Sequence, residues 1–315
     1  MGKFFIILGS LILLSFIVVI CTAIYFYRLT ILRKPTATLE NNINANTNWN
    51  KHIPFMKERR EWFDSQKTED VYISSFDNLK LHGTLLETGN NKNCVICFHG
   101  YTSKGTNDFC ALSKYYHENN FNVILVDERA HGDSEGKYIG FGVLDRKDAE
   151  KWIEYALNRY GKGVNIFLHG ISMGGATVLM TSGLDLPENV KAIIADCAFT
   201  SAYDVFSHIL KRDYHIPKFP LMNITEMMTK HNAGYGYKDV STLNEVAKTK
   251  IPILFVHGEI DDFVPVWMTE KNFEACGSEK EMLIVKDADH AESYFVDTPA
   301  YEQAIRRYID KYAVN

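Results

Sequence analysis

From Glu69 onwards, short continuous apolar runs alternate with longer amphipathic stretches. Short apolar runs suit strands that are buried on both faces of a parallel sheet. The first two runs flank the turn Phe76–Asn78 and predict an antiparallel hairpin at a sheet edge. The eight predicted strands are Val71–Ser75, Leu79–Leu86, Cys94–Phe98, Val123–Val126, Val164–Leu168, Lys191–Ala195, Ile253–Val256 and Met282–Val285.

The amphipathic stretches between these strands predict crossover helices. They lie at Phe109–Glu118, Leu144–Arg159, Ala176–Ser182, Trp267–Ala275 and Pro299–Lys311. Eight strands joined in this way predict one α/β domain, with a mostly parallel eight-stranded sheet and helices on both faces. A chain of 315 residues that is 46% hydrophobic is long enough to bury such a core.

One connection is much longer than a helical crossover requires. About 55 residues separate the strand that ends near Asp196 from the strand that begins near Ile253. We therefore interpret residues 199–245 as an insertion after the sixth strand, and we call it the cap insertion. It is rich in aromatic and methionine side chains, which make an adaptable apolar surface. We expect it to cover the substrate; the alternative is that these side chains only pack the insertion onto the domain.

The amino-terminal pattern predicts one transmembrane helix. Phe4–Tyr27 carries no charge, and as a helix its 24 residues would span roughly 36 Å, more than the roughly 30 Å of a hydrocarbon core. Aromatic residues and Arg28 follow at its end, as at a membrane interface. The alternative is a cleaved signal peptide with Cys21–Ala23 as its cleavage site, although the apolar stretch is long for that role.

The charges around this span favour a single-pass cell-membrane protein whose catalytic domain is cytoplasmic. Arg28, Arg33 and Lys34 follow the span, whereas Lys3 alone precedes it. The six cysteines have neither paired nor metal-site spacing, which fits free thiols in a reducing compartment.

The same patterns give a three-part organisation: residues 1–34 form a membrane anchor, 35–68 a stalk, and 69–315 the catalytic domain. Within the stalk, the polar run Asn41–Asn50 has no apolar period and is predicted to be flexible. Phe55–Phe63 is predicted to be a short amphipathic helix that lies on the domain or the membrane surface, or is a solvated connector.

Candidate chemistry begins where the fifth predicted strand runs into His169–Gly175, which reads H-G-I-S-M-G-G. A serine between glycines at a strand-to-helix junction is typical of a nucleophile elbow. The turn is so tight that the flanking positions tolerate almost no side chain, and the Ser172 hydroxyl is presented at the edge of the sheet. This predicts Ser172 as the nucleophile.

In a fold with such an elbow, the acid and then the base follow the serine along the chain. His290 is the one histidine after the seventh strand, and it lies in a loop after the eighth, so it is the predicted base. The acid is expected at the end of the seventh strand, where Asp261 and Asp262 compete. We favour Asp261, four residues past that strand, with Asp196 after the sixth strand as a third candidate.

The loop after the third strand is predicted to complete an oxyanion hole. Gly100 allows a close backbone approach, so the Tyr101 N–H can join the Met173 N–H in facing a developing oxyanion. One such donor is typically worth roughly 3 kcal/mol of transition-state stabilisation.

Elbow, acid, base and oxyanion loop in this order resemble the α/β-hydrolase superfamily from Glu69 to the carboxyl terminus. Arg129–Gly136, which reads R-A-H-G-D-S-E-G, resembles a turn of the branch that contains bacterial membrane-tethered hydrolases, feruloyl esterases and serine-aminopeptidase-like proteins. Ala130 departs from the glycine often found there. We interpret Asp127, Arg129 and Asp133 as structural pairing that braces the site.

The resemblance implies a serine hydrolase that cleaves carboxylic esters through Ser172, His290 and Asp261 and an acyl-enzyme intermediate. A peptidase or amidase, a thioesterase, and a non-catalytic membrane-tethered binding module are the alternatives. The expected partners are a small ester or acyl substrate and a lipid bilayer. The sequence has no metal-ligand constellation and no phosphate-binding glycine loop, so no cofactor is expected. A net charge of −5 without a basic stripe gives no reason to expect nucleic acid.

Overall fold

The computed structural model of the chain describes residues 2–36, 47–90 and 92–313, and for residues 47 and 48 it describes the backbone alone. The strands are β1 Thr68–Ser74, β2 Lys80–Leu86, β3 Asn93–Phe98, β4 Asn122–Val126, β5 Asn165–Ile171, β6 Val190–Asp196, β7 Ile253–Gly258 and β8 Lys280–Val285. The helices are α1 Gly2–Thr30, α2 Ile53–Asp64, α3 Gly105–Asp108, α4 Cys110–Glu118, α5 Asp145–Tyr160, α6 Met173–Thr181, α7 Ala202–Tyr214, α8 Leu221–Ala233, α9 Thr242–Val246, α10 Trp267–Ala275, α11 Ser293–Val296 and α12 Thr298–Tyr312.

The eight strands form one sheet in the order β1-β2-β4-β3-β5-β6-β7-β8. β1 and β2 form an antiparallel hairpin at one edge, and β2 pairs antiparallel with β4. All other neighbours are parallel. The mostly parallel eight-stranded sheet predicted from the apolar runs is thereby confirmed, and the carboxyl ends of β3, β5, β6 and β7 meet at one edge.

Two apolar clusters cover the two faces of the sheet. One contains Phe167 and Val256 together with side chains of α4 and α12, and the other contains Leu168 and Phe255 together with side chains of α5 and α6. Since consecutive strand residues point to opposite faces, Phe167 and Leu168 fall in different clusters. The unbroken apolar runs of the sequence are therefore the consequence of burial on both faces.

α1 is the one helix among the described residues that is long and apolar enough to cross a membrane. Most of its large apolar side chains from Phe4 to Val18 are exposed. Its last turns are different, because Ala23, Tyr27 and the following Ile31 are buried against α8 and the surrounding cluster. Length and composition agree equally with a membrane anchor and with a signal sequence.

Most of the Asn41–Asn50 run, up to residue 46, lies outside the described residues. A 3-10 helix follows at Thr47–His52 and leads into α2. α2 packs against α4 and buries Met56 and Phe63. The sequence left three positions open for this helix: on the domain, on the membrane surface, or in solvent as a connector. In the structure it packs on the domain.

The residues between β6 and β7 form α7, α8 and α9. Side chains of α7 and α8 join an apolar cluster with the end of α1 and with Met173, the first residue of α6. The cap insertion thus lies between the amino-terminal helix and the edge of the sheet at which β5 ends.

Candidate active site

Ser172 occupies the sharp turn between β5 and α6. Its φ of 56° lies in a region that residues with a side chain seldom adopt. A Cβ at Gly170 would lie 2.0 Å from the Gly174 carbonyl oxygen, and a Cβ at Gly174 would lie 1.9 Å from the carbonyl oxygen of Phe98. Glycine alone fits at both positions, and this allows the turn to be tight enough to present the serine hydroxyl.

The His290 ring bridges Ser172 and Asp261. His290 Nε2 lies 2.9 Å from Ser172 Oγ, and His290 Nδ1 lies 2.7 Å from Asp261 Oδ2. With Nδ1 protonated and donating to the carboxylate, Nε2 is free to accept the serine proton. The geometry is that of a nucleophile, a base and an orienting acid.

The Asp261 carboxylate is buried and well supplied with donors. Its Oδ1 accepts the amides of Phe263 at 3.0 Å and Val264 at 2.8 Å, and His257 Nε2 lies 3.2 Å from Oδ2. Burial alone would raise the pKa of Asp261, but the His290 charge and hydrogen bonds from His257 and His290 hold it well below its ordinary value. Burial lowers the pKa of His290, yet the charge and hydrogen bond of Asp261, with the charges of Asp196 and Asp289, raise that pKa above the ordinary value.

The two other candidate acids lie elsewhere. The Asp262 side chain is 79% exposed and forms an ion pair with Arg212 at 3.0 Å. Asp196 is buried, and its carboxylate accepts hydrogen bonds from Tyr301 and Ser293 rather than from His290. Its backbone carbonyl accepts the Ser172 amide at 2.9 Å, so its contribution is to the elbow. Among the three, Asp261 contacts His290.

The loop after β3 lies directly against the serine. A Cβ built on Gly100 would lie 3.5 Å from Ser172 Cβ, which brings the Tyr101 backbone next to the nucleophile. Within the described part of the chain, nothing accepts a hydrogen bond from the Tyr101 amide. The Met173 amide belongs to the first turn of α6, where N–H groups have no acceptor within the helix. Two unpaired donors therefore adjoin the Ser172 hydroxyl.

His131 connects the loop after β3 to the turn after β4. The Thr102 amide donates to His131 Nε2 at 3.1 Å, and His131 Nδ1 lies 3.0 Å from the Arg129 carbonyl oxygen. Burial lowers the pKa of His131 to about 3, so the ring is neutral and Nε2 can accept. His131 belongs to the Arg129–Gly136 segment, but no role of its own could be predicted for it from the sequence.

Around that segment, Asp127 and Arg129 are paired as expected, although not with each other. Asp127 contacts His82 Nδ1 at 2.8 Å and accepts the amides of Gly105 and Asp133. Arg129 forms an ion pair with Asp148 at 2.7 Å and another with an aspartate of the β1–β2 turn. Asp133 contributes its backbone amide, whereas the sequence predicts a paired side chain.

Residues that precede β1 contact the segment that directly follows His290. Lys51 Nζ lies 3.3 Å from Glu292 Oε2, and the Trp49 ring packs edge-on against Phe295. The segment before β1 thereby contacts the two turns that follow the histidine. Nothing in its sequence pattern indicates this contact, because the partners are about 240 residues apart.

Two cavities meet at Ser172. One, of about 290 Å³, is almost entirely apolar and runs between α7, α8 and the end of α1. The other, of about 470 Å³, is more polar and contains His290, Asp289 and Arg212 in its wall. Tyr101 and Ser172 line both cavities. A substrate attacked by Ser172 would place one half in each.

Two groups of ligand-type side chains lie close together among the described residues: Cys197, Asp261 and His290 in one, and His82, Asp127 and Asp133 in the other. In each group the histidine and one carboxylate are already hydrogen-bonded to each other.

The chain is similar in sequence to known proteins. The model of the prolyl oligopeptidase family matches residues 110–314. The chain is 29% identical over 253 residues to the protein YqkD of Bacillus subtilis, covering 79% of this chain and 82% of the relative.

Solved structures share the fold. The chain is similar to the Pyrococcus furiosus esterase Pf2001, with a TM-score of 0.64 and 22% identity over 79% of this chain and 93% of the esterase. It is also similar to the Pyrococcus horikoshii acylaminoacyl peptidase, with a TM-score of 0.58 and 16% identity over 80% of this chain and 43% of the peptidase.

Proposed function

The chain belongs to the prolyl oligopeptidase family of α/β-hydrolase serine hydrolases, and from that premise we propose that it is a membrane-anchored carboxylesterase with Ser172 as its nucleophile. The observation that carries the proposal is the continuous hydrogen-bonded chain from Ser172 Oγ through His290 to a buried Asp261. A non-catalytic binding module would have no need of it.

In the proposed reaction, His290 Nε2 takes the Ser172 proton as Oγ attacks the ester carbonyl carbon. The tetrahedral intermediate collapses when the C–O bond to the alcohol breaks and His290 gives its proton to the leaving alkoxide. Water then attacks the acyl-serine, His290 takes one of its protons and returns it to Ser172 Oγ, and the carboxylic acid leaves. Asp261 stabilises the imidazolium and fixes its tautomer throughout.

The unpaired amides of Tyr101 and Met173 are proposed to bind the oxyanion in both steps. Such donors act in a site from which water is largely excluded, and they need no rearrangement at the moment of reaction. The Thr102 amide next to them is engaged by His131, so the Tyr101 peptide is held in place rather than free to turn.

The lining of the apolar cavity favours esters over peptides. Three of its polar side chains already have partners within the protein: Thr30 Oγ1 donates to the Phe26 carbonyl, Thr225 Oγ1 to the Leu221 carbonyl, and the Tyr237 hydroxyl is bonded to Thr229. Two charged residues, Lys34 and Asp213, also line the cavity, and Asp213 is paired with Arg212. The amide groups of a peptide held among the apolar side chains of this cavity would be left without partners, at a cost of about 1–3 kcal/mol each. An aliphatic acyl group has no such requirement.

Peptide hydrolysis is the second candidate, because the family description names an oligopeptidase and one similar structure is an acylaminoacyl peptidase. The experiment compares p-nitrophenyl butyrate with the matched butyryl p-nitroanilide on the full-length protein, with Ser172→Ala as control. We expect the ester to be hydrolysed and the anilide to be left intact, with no turnover of either by the variant. Because a p-nitrophenyl ester is intrinsically more reactive than the matching anilide, measurable turnover of the anilide that is lost in Ser172→Ala would assign the protein to the peptidases or amidases, and thioester analogues extend the same series.

We further propose that α1 is retained as an anchor. Ala23, at the end of the alternative cleavage site, is fully buried in the cluster of the cap insertion, together with Tyr27. Cleavage there would remove the preceding turns and leave a charged terminus in an apolar cluster. The charge distribution favours a catalytic domain on the cytoplasmic side, and a reporter fused after Asn315 tests that side directly.

A further inference from the structure

The amino-terminal helix forms part of the cavity wall beside Ser172. Phe26, Leu29 and Thr30, all in the last two turns of α1, line the apolar cavity together with α7 and α8. The contact is also polar, because the Tyr101 hydroxyl donates to the Leu29 carbonyl oxygen at 2.8 Å. Tyr101 is the same residue whose amide adjoins the nucleophile. The helix that would hold the protein in a membrane is thus part of the substrate site.

The length of α1 that projects from the domain matches a bilayer. Burial begins at Ala23, which leaves Gly2–Thr22 projecting. Those 21 residues span about 32 Å, close to the roughly 30 Å of a hydrocarbon core. The buried turns then lie at the interface, and the cap insertion that packs on them is held at the membrane surface.

Exposed apolar side chains on the cap insertion agree with that placement. Outside α1, the two most exposed large apolar side chains of the described residues are Phe219, at 72%, and Met227, at 65%. Met227 belongs to α8, which packs against α1, and Phe219 precedes α8 by two residues. Apolar side chains beside a spanning helix are stable where they can enter the headgroup and acyl boundary.

The cavity reaches the surface on this same side. Tyr214, which is 42% exposed, and the half-buried Phe26 both line it, and their rings pack edge to face at 4.8 Å. An acyl chain entering beside these rings would pass from the bilayer surface along α1 to Ser172 without crossing water. The more polar cavity on the other side of Ser172 would take the alcohol.

We propose that the substrate is a membrane-borne amphiphilic ester whose acyl chain enters the apolar cavity along α1. The inference rests on the proposed ester hydrolysis and adds the source and shape of the substrate. A methylene group is close in size to a water molecule, whose share of volume is roughly 30 Å³, so the cavity of about 290 Å³ holds about ten such groups. The chain that fills it is about ten carbons long.

The test uses the full-length protein in vesicles of dialkyl-ether phosphatidylcholine, which contain no ester bond. p-Nitrophenyl esters from acetate to palmitate give the chain-length profile, and monodecanoyl glycerol in the same vesicles gives the bilayer-borne substrate. We expect kcat/KM to rise on the order of a hundredfold from acetate to decanoate. The rate on monodecanoyl glycerol should follow its mole fraction in the vesicles, whereas the rate on acetate should follow its bulk concentration.

Variants of α1 distinguish an effect of the cavity wall on chain-length preference from an effect of the substitution on folding or membrane insertion. Leu29→Trp should lower the ratio of kcat/KM for decanoate to kcat/KM for acetate at least about tenfold. Ile24→Trp is the matched control on the same helix, away from the cavity, and should leave this ratio unchanged. Phe26→Ala enlarges the cavity and should move the maximum of kcat/KM to esters with longer acyl chains. This variant keeps the test valid if the tryptophan variant folds poorly.

A flat chain-length profile, or a monodecanoyl glycerol rate that follows bulk concentration, would overturn the inference while leaving the esterase intact. Equal effects of Leu29→Trp and Ile24→Trp on the decanoate-to-acetate ratio would do the same. Loss of the proposed function itself has a different signature, because wild-type protein would then fail to hydrolyse acetate.

Discussion

Replacing Asp261 by asparagine removes one charge at the centre of the site while keeping the shape of the side chain. An amide oxygen at this position can still accept the Phe263 and Val264 amides that Asp261 Oδ1 accepts. The amide NH₂ then faces His290 Nδ1, at a separation that is 2.7 Å in the wild type. Nδ1 must accept rather than donate, so Nε2 carries the proton and can no longer take one from Ser172.

The size of the effect follows from the distances. A carboxylate and an imidazolium about 4 Å apart attract each other by roughly 4 kcal/mol at an effective dielectric constant of about 20, which corresponds to about a thousandfold in rate. The wrong tautomer adds to this loss. We therefore expect Asp261→Asn to lower kcat about 10³- to 10⁴-fold.

The pH profile gives an independent reading of the same change. Burial lowers the pKa of His290, but the charge and hydrogen bond of Asp261, together with the charges of Asp196 and Asp289, raise that pKa above its ordinary value of about 6.5. Because the neutral ring alone accepts a proton, wild-type kcat/KM should fall as the pH drops through a value above 6.5. Asp261→Asn removes the largest of the contributions that raise this pKa, so the residual activity should persist to lower pH.

The assay is p-nitrophenyl butyrate hydrolysis from pH 5 to 9, with circular dichroism as a check of folding. Asp262→Asn is the matched control: it removes the neighbouring carboxylate, which is 79% exposed, and should leave kcat within about twofold. A folded Asp261→Asn variant that kept a tenth of wild-type kcat with an unshifted acid limb would refute the assigned role.

Three further outcomes are expected. His131→Phe leaves the Thr102 amide without its acceptor and should lower kcat about tenfold with little change in KM, as read from initial rates; a larger effect on KM would place His131 in substrate binding. Gly174→Ala puts a Cβ 1.9 Å from a backbone oxygen and should cost about 3 kcal/mol or more in the free energy of unfolding, measured by urea denaturation. Gly163→Ala, with nothing within 4 Å, should be near neutral. Prolonged treatment with EDTA should leave ester hydrolysis unchanged, and loss of activity restored by a divalent metal would contradict the metal-free mechanism.

The sheet could be predicted from the sequence because strands that are buried on both faces have a simple hydrophobic pattern. Each parallel strand reads as an unbroken apolar run, and the predicted Ile253–Val256 agrees closely with the observed Ile253–Gly258. Ser172, His290 and Asp261 could be named because strand ends fix which loops meet at one edge. Their catalytic roles stay predictions, since geometry alone does not measure chemistry.

What escaped prediction depends on contacts between distant segments. His131 binds the Thr102 amide, and Lys51 contacts Glu292, across separations that no local periodicity reports. The apolar residues at the end of α1 are already explained by a membrane span. Their contact with the cavity therefore could not be predicted from the sequence. Side-chain pairing is equally non-local, and Asp133 contributes an amide where a carboxylate was expected.

The most direct test of the account is the covalent labelling of Ser172. Full-length protein treated with a fluorophosphonate and digested should yield one modified peptide that contains Ser172, in parallel with loss of ester hydrolysis. Ser172→Ala should be folded, unlabelled and inactive. Labelling at another serine, or hydrolysis retained by the folded Ser172→Ala variant, would contradict the central claim.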